Sequence, residues 1–109
     1  MNEKIKNSRR KKTIESGARI LRVLKMLKGH TLTGLSNTEL AKALGDSPCN
    51  VNRALNTLIA EGLAVKLDNG RFAHSVGMLQ IAQAHADHVT KLQGRILELN
   101  QRIAAGASY

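Results

Sequence analysis

Apolar positions between residues 14 and 62 fall into three helical clusters separated by turn residues. Ile20, Val23, Leu24 and Leu27 share one face of a first helix, which begins around Ile14 to Gly17, while Arg22 and Lys25 point away. Thr13 or Ser16 is its expected N-cap, and Gly29 sits where a C′ glycine belongs. "HTLTGL" then reads as a turn region with a very short strand near Leu35. The second helix has a strong start: Ser36 with Glu39 three residues on forms a capping box, and Leu40, Ala41 and Leu44 supply the buried face. After the "GDS" connection, Ser47 caps a third helix whose first position, Pro48, needs no N–H partner. Val51, Ala54, Leu55 and Leu58 form its inner face, Ile59 flanks them, and Gly62 ends it. Two short helices joined by a tight turn make a helix-turn-helix pattern.

Past Gly62 the period changes from 3.6 to two. Leu63, Val65 and Leu67 alternate with Ala64, Lys66 and Asp68, which reads as a period-two strand. Asn69-Gly70 predicts a two-residue type I′ hairpin, with Asp68 opposite Arg71 and Leu67 opposite Phe72. This hairpin is a wing. From Met78 onward one long helix is expected, fraying near "AAGASY". Its apolar positions Val89, Leu92, Ile96, Leu99 and Ile103 are spaced three, four, three, four. β-Branched residues at a and Leu at d favour a parallel two-stranded coiled coil. Flanking Arg95, Asn100 and Arg102 keep the stripe narrow, which suits a partner helix better than a core face. The predicted class is therefore mostly α: a winged helix-turn-helix, three helices plus a β-hairpin, followed by a long C-terminal dimerisation helix. The expected segments are 1–13 (a basic flexible arm), 14–77 (the winged domain) and 78–105 (the coiled-coil helix).

Composition narrows the partner. The chain has 109 residues and a net charge of +9, which favours a polyanion. Only Phe72 and Tyr109 are aromatic, so the core is aliphatic and a base-stacking platform for single strands is excluded. Basic residues crowd the start; Arg9, Arg10, Lys11 and Lys12 are candidates to enter a minor groove. Cys49 is the single cysteine, so an intrachain disulfide or cysteine metal site is excluded, and a reducing, cytoplasmic location is expected. No apolar run approaches the roughly 20 residues of a membrane span.

The third helix carries the candidate chemistry. On a helical wheel its outer face centres on Cys49, Arg53, Asn56 and Ala60, with Asn52 flanking one side and Asn50 and Thr57 the other. Asn pairs bidentately with adenine and Arg with guanine, at about 1–3 kcal/mol of discrimination per good pair. Asn costs a few tenths of a kcal/mol in helix propensity, so base reading outweighs the local penalty. Asn52 and Arg53 rank first, Asn50 and Asn56 next. Ser47 opens the same helix. Cys49 reads as a contact or spacer, although a thiol at a helix start can also serve as a redox sensor. Ser36 and Thr38 at the second helix can donate to phosphate, and Lys66 and Arg71 on the wing can track the backbone. For Arg71, pairing with Asp68 is the alternative. His85 and His88 face one way, with His85 in the d register, but two ligands are thin for a metal. No catalytic set appears, so neither an enzyme nor a cofactor is expected.

The stretch from Glu15 to Ala82 resembles the N-terminal winged domain of IclR-type transcriptional regulators. Its most specific part is "VNRALNTLIAEGLAV": a polar residue and Arg in the recognition helix, then Leu, then Gly-Leu opening the wing. "LSNTELAKALG" and "RILRVLKML" match more generically. Such regulators usually carry a larger effector-sensing domain, for which these 109 residues leave no room, so no small-molecule effector is implied. They also commonly open the recognition helix with small hydroxyl residues where Cys49 and Asn50 stand, so no target sequence carries over.

The expected function is sequence-specific binding of double-stranded DNA by a homodimer on an inverted repeat, as a transcriptional regulator acting by repression. The alternatives are a protein-interaction module and a sequence-independent DNA-architectural protein.

Overall fold

Helix α1 (Glu15–Met26) starts with Ile14 in the N-cap position, and no side chain closes the cap. The expected caps, Thr13 and Ser16, do not hold that position. Val23 and Leu27, the latter at the helix end, are fully buried. Helix α2 (Asn37–Leu44) forms the expected capping box: Glu39 N–H donates to Ser36 Oγ at 3.1 Å and Ser36 N–H to Glu39 Oε1 at 3.3 Å. Helix α3 (Pro48–Ala60) follows, with Ser47 Oγ accepting from Asn50 N–H at 3.1 Å. Its last turn closes with Leu63 N–H on Leu58 O and Gly62 N–H on Ile59 O, the paired bonds of a Schellman cap. The computed structural model describes residues 12–107.

These three helices enclose an aliphatic core. Val23, Leu27, Leu40, Val51, Leu55 and Leu58 are its largest fully buried side chains. Each contributes on the order of 1.5–3 kcal/mol by leaving water. Strands β1 (Ala64–Lys66) and β2 (Phe72–His74) pair antiparallel and close it, with Phe72 buried among the aliphatics. The short strand expected near Leu35 is a two-bond bridge, Leu35 N–H to Phe72 O and Phe72 N–H to Leu35 O, each 2.8 Å. Gly34 lies beside it at φ 74°, and a Cβ there would meet Phe72 O at 2.8 Å. Only glycine fits this approach.

The wing departs from expectation by one residue. Lys66 pairs with Phe72 and Val65 with Ala73. Leu67 N–H donates to Arg71 O at 2.7 Å and Gly70 N–H to Leu67 O at 2.9 Å. The loop is therefore three residues, Asp68 to Gly70, and neither the Asp68–Arg71 nor the Leu67–Phe72 opposition forms. A type I′ turn needs positive φ at both Asn69 and Gly70; only Gly70, at 82°, has it. Asn69 is held instead by its side chain, whose Oδ1 accepts from Arg71 N–H and whose Nδ2 donates to Thr33 O. Ala64 is buried and Val65 exposed, while Leu63 packs partly buried against the core.

Helix α4 (Val76–Ala107) starts from Ser75, a buried hydroxyl that accepts from Met78 N–H at 3.0 Å and donates to Gly62 O at 2.6 Å. The chain divides into two units after Met78. Along α4 no residue is buried: Val89, Leu92, Ile96, Leu99 and Ile103 are 37% to 60% exposed. No helix among the described residues is long and apolar enough to cross a membrane. The architecture is a winged helix-turn-helix followed by a long C-terminal helix.

Candidate nucleic-acid interface

The outer surface of α3 is positioned by its buried one. With Val51, Ala54, Leu55 and Leu58 locked in the core, Cys49, Asn52, Arg53, Asn56 and Thr57 are turned to solvent. Among the described residues, the side chains of Cys49, Asn52, Arg53 and Asn56 make no hydrogen bond or ion pair within the chain. Their polar groups are unspent, at positions a rigid helix fixes. Thr57 is partly engaged, its hydroxyl donating to Arg53 O at 2.9 Å.

Asn50 differs. Its Nδ2 donates to Asp46 Oδ1 at 3.0 Å, and it is half-buried. Asp46 also accepts from Ser47 N–H at 2.8 Å and from Arg19 Nε at 2.6 Å. This network joins α1, the turn and the first coil of α3. A second tie runs from α2, where Asn37 Nδ2 donates to Pro48 O at 3.2 Å. Asn50, ranked as a base reader, thus also ties the start of α3 to the turn. Ser47 likewise spends its oxygen on the cap.

The hydrogen bond from Asn50, then those from Arg19 and the Ser47 N–H, hold the Asp46 carboxyl at about 2, below its ordinary 3.8. A lowered carboxylate contributes stability that is complete above the ordinary value and lost as pH falls through the lowered one. Thermal melts should therefore show an acid-labile component between about pH 4 and pH 2. Asp46→Asn should melt lower at neutral pH and decline less steeply across that window. An unchanged acid slope in the variant would show that the network does not anchor the turn.

Arg71 also makes bonds within the chain. Expected as a wing contact, it is committed inward: Nε donates to Thr33 O at 3.1 Å, Nη2 to Gly34 O at 3.1 Å, and Nη2 pairs with Glu39 Oε1 at 2.6 Å. The Ser36 hydroxyl and backbone N–H, then Arg71, keep the Glu39 carboxyl below its usual range. The cation thus joins the wing to the capping box of α2. Lys66 remains exposed, its ammonium 5.9 Å from the Phe72 ring centroid. Ser36 uses its oxygen in the cap, and Thr38 is exposed. Lys12 is exposed, whereas Arg9, Arg10 and Lys11 lie outside the described residues. Beside the outer face of α3, a hollow of about 200 Å³ between α1 and α3 is lined by Arg19, Asn50 and Arg53, among others. No metal-binding group of three or more His, Cys, Asp or Glu side chains exists among the described residues.

An α3 whose outer face is open, set behind a capped α2 and beside a pinned wing, is an arrangement with known relatives. Residues 16–68 match the sequence model of the IclR helix-turn-helix domain. The chain carries an IclR-type helix-turn-helix domain. Two solved regulators share the IclR-type fold of this region. One is Pseudomonas aeruginosa HmgR, at 28% identity and TM-score 0.59, covering 68% of this chain and 30% of that one. The other is an IclR family transcriptional regulator from Brucella abortus, at 25% identity and TM-score 0.59, covering 68% and 28%. The match thus spans under a third of either regulator's length. A mutant of S. aureus MepR, solved bound to an oligodeoxyribonucleotide, shares the fold at 18% identity and TM-score 0.51, covering 83% of this chain and 73% of that one. No curated protein sequence matches the chain.

Proposed function

We propose that the protein is a transcriptional regulator that binds duplex DNA in a sequence-dependent way through α3 of its IclR-type domain. The supporting observation is the set of exposed side chains of Asn52, Arg53 and Asn56, unpartnered within the chain on one rigid helical face. Those amides and that guanidinium match the donor and acceptor pattern of major-groove base edges. Ser36, Thr38 and Lys66 grip phosphate beside the groove, and the basic residues of the arm add a salt-dependent attraction. Asn50 and Arg71 serve the frame. The protein acts as a homodimer through the open stripe of α4, on an inverted repeat, and represses by occupying a promoter.

Selection from random duplex DNA tests this. A common word should be enriched, arranged as two inverted copies. Deletion of residues 4–12 should weaken all duplexes about equally and flatten the salt dependence without changing the word. Retention of the pool with no enriched word would leave only sequence-independent binding.

A further inference from the structure

Helix α4 presents an open apolar stripe with unlike edges. Val89, Ile96 and Ile103 alternate with Leu92 and Leu99 along it, all at least 37% exposed. In heptad terms the first three are a positions and the two leucines are d positions. One edge, at g, carries His88, Arg95 and Arg102; the other, at e, carries Gln93, Asn100 and Ala107. Arg102 is tied to Glu98 of its own helix at 2.6 Å, whereas Arg95 makes no ion pair or hydrogen bond among the described residues.

We infer that α4 pairs with a second copy of itself in parallel and in register, setting Arg95 of each copy against Asn100 of the other. This rests on the homodimer reading above and adds its direction. In a parallel pair, g of one helix meets e of the next heptad of the other. The Arg95 guanidinium then meets an amide oxygen that can accept from it, and His88 meets Gln93. An antiparallel pair that stacks a layers on d layers sets g against g. Arg95 would then face Arg102 at two symmetric places, each a like-charge contact. β-Branched residues at a with Leu at d favour two strands over three or four. Upstream seam positions hold Ala82 and His85, so apolar closure begins at Val89.

Cross-linking of the full chain tests the direction. Cys49→Ser removes the native thiol, and Gly106→Cys adds one at a d position beyond the apolar stripe, leaving every seam residue in place. In a parallel pair the two new thiols are neighbours, and mild oxidation should convert nearly all of the protein to a disulfide-linked dimer. In an antiparallel pair each would lie opposite Val89 of the other copy, roughly 25 Å away by helical rise. Leu99→Cys in the Cys49→Ser background is the control: near the middle of the seam it lies within roughly 5 Å of its counterpart along the axis in either direction, so it should link in any such pair. Sedimentation of the reduced proteins separates the two failures. A dimer mass with no self-linking by Gly106→Cys overturns the parallel direction alone; a monomer mass for the unaltered chain overturns the homodimer reading beneath it.

Discussion

Arg53→Ala is expected to erase preference at one base pair while leaving the protein folded. The side chain is exposed and unpartnered within the chain. Alanine is also the better helix former, by a few tenths of a kcal/mol. The melting temperature should therefore hold or rise slightly. The loss should lie in discrimination: a bidentate Arg–guanine pair is worth about 1–3 kcal/mol, or roughly 5- to 150-fold between cognate and substituted sites. Competition binding at fixed salt measures it. Asn52→Ala should relax a neighbouring position by a similar amount. Asn50→Ala should behave differently, lowering the melting temperature and weakening all sites together, because it disconnects Asp46 from α3. If Arg53→Ala weakened all duplexes equally, the guanidinium would be a phosphate contact rather than a reader.

Leu92→Asp combined with Leu99→Asp is expected to halve the sedimenting mass. Both side chains are at least 42% exposed within the single chain, so the substitutions remove little intramolecular packing. In the pair they would bury four carboxylates in an apolar seam, which the association cannot offset. Affinity for a two-copy site should then fall by about 10²- to 10⁴-fold, the gain that linking two modest contacts supplies. Selection with the variant should still recover a single copy of the word. An unchanged mass would remove the stripe from the dimer interface.

The local features of this fold were legible in the sequence because local chemistry makes them. Ser36 with Glu39, Ser47 before Pro48, and Gly62 after the last apolar turn mark helix ends through bonds spanning a few residues. The 3.6-residue period picked out Val23, Leu40, Val51, Leu55 and Leu58 as core. Ties between distant segments were not legible. Arg19 and Asp46 are 27 residues apart, and Arg71 reaches Gly34 from 37 residues away. No pattern in either neighbourhood announces the other. His74, whose Nε2–H donates to Leu24 O at 2.7 Å, is of the same kind. Ser75 was a readable cap that the hydrophobic period hid, since the apolar pattern of α4 gathers strength only past it. At the wing, Asn69-Gly70 correctly marked a hairpin. It misled on loop length, because the Asn69 side chain found partners that a two-residue turn does not offer. The same long-range ties separate the open face of α3, where a wheel suffices, from Asn50 and Arg71, where it does not.

The Arg71 staple bears on how fast a duplex can be engaged. A wing joined to α2 and the loop before it by a cation, two carbonyls and a glycine that admits no side chain does not have to be ordered at the moment of encounter. Little conformational freedom is then surrendered on docking, and association should be limited by collision and electrostatic steering rather than by refolding. Binding speed would then vary with ionic strength far more than with temperature.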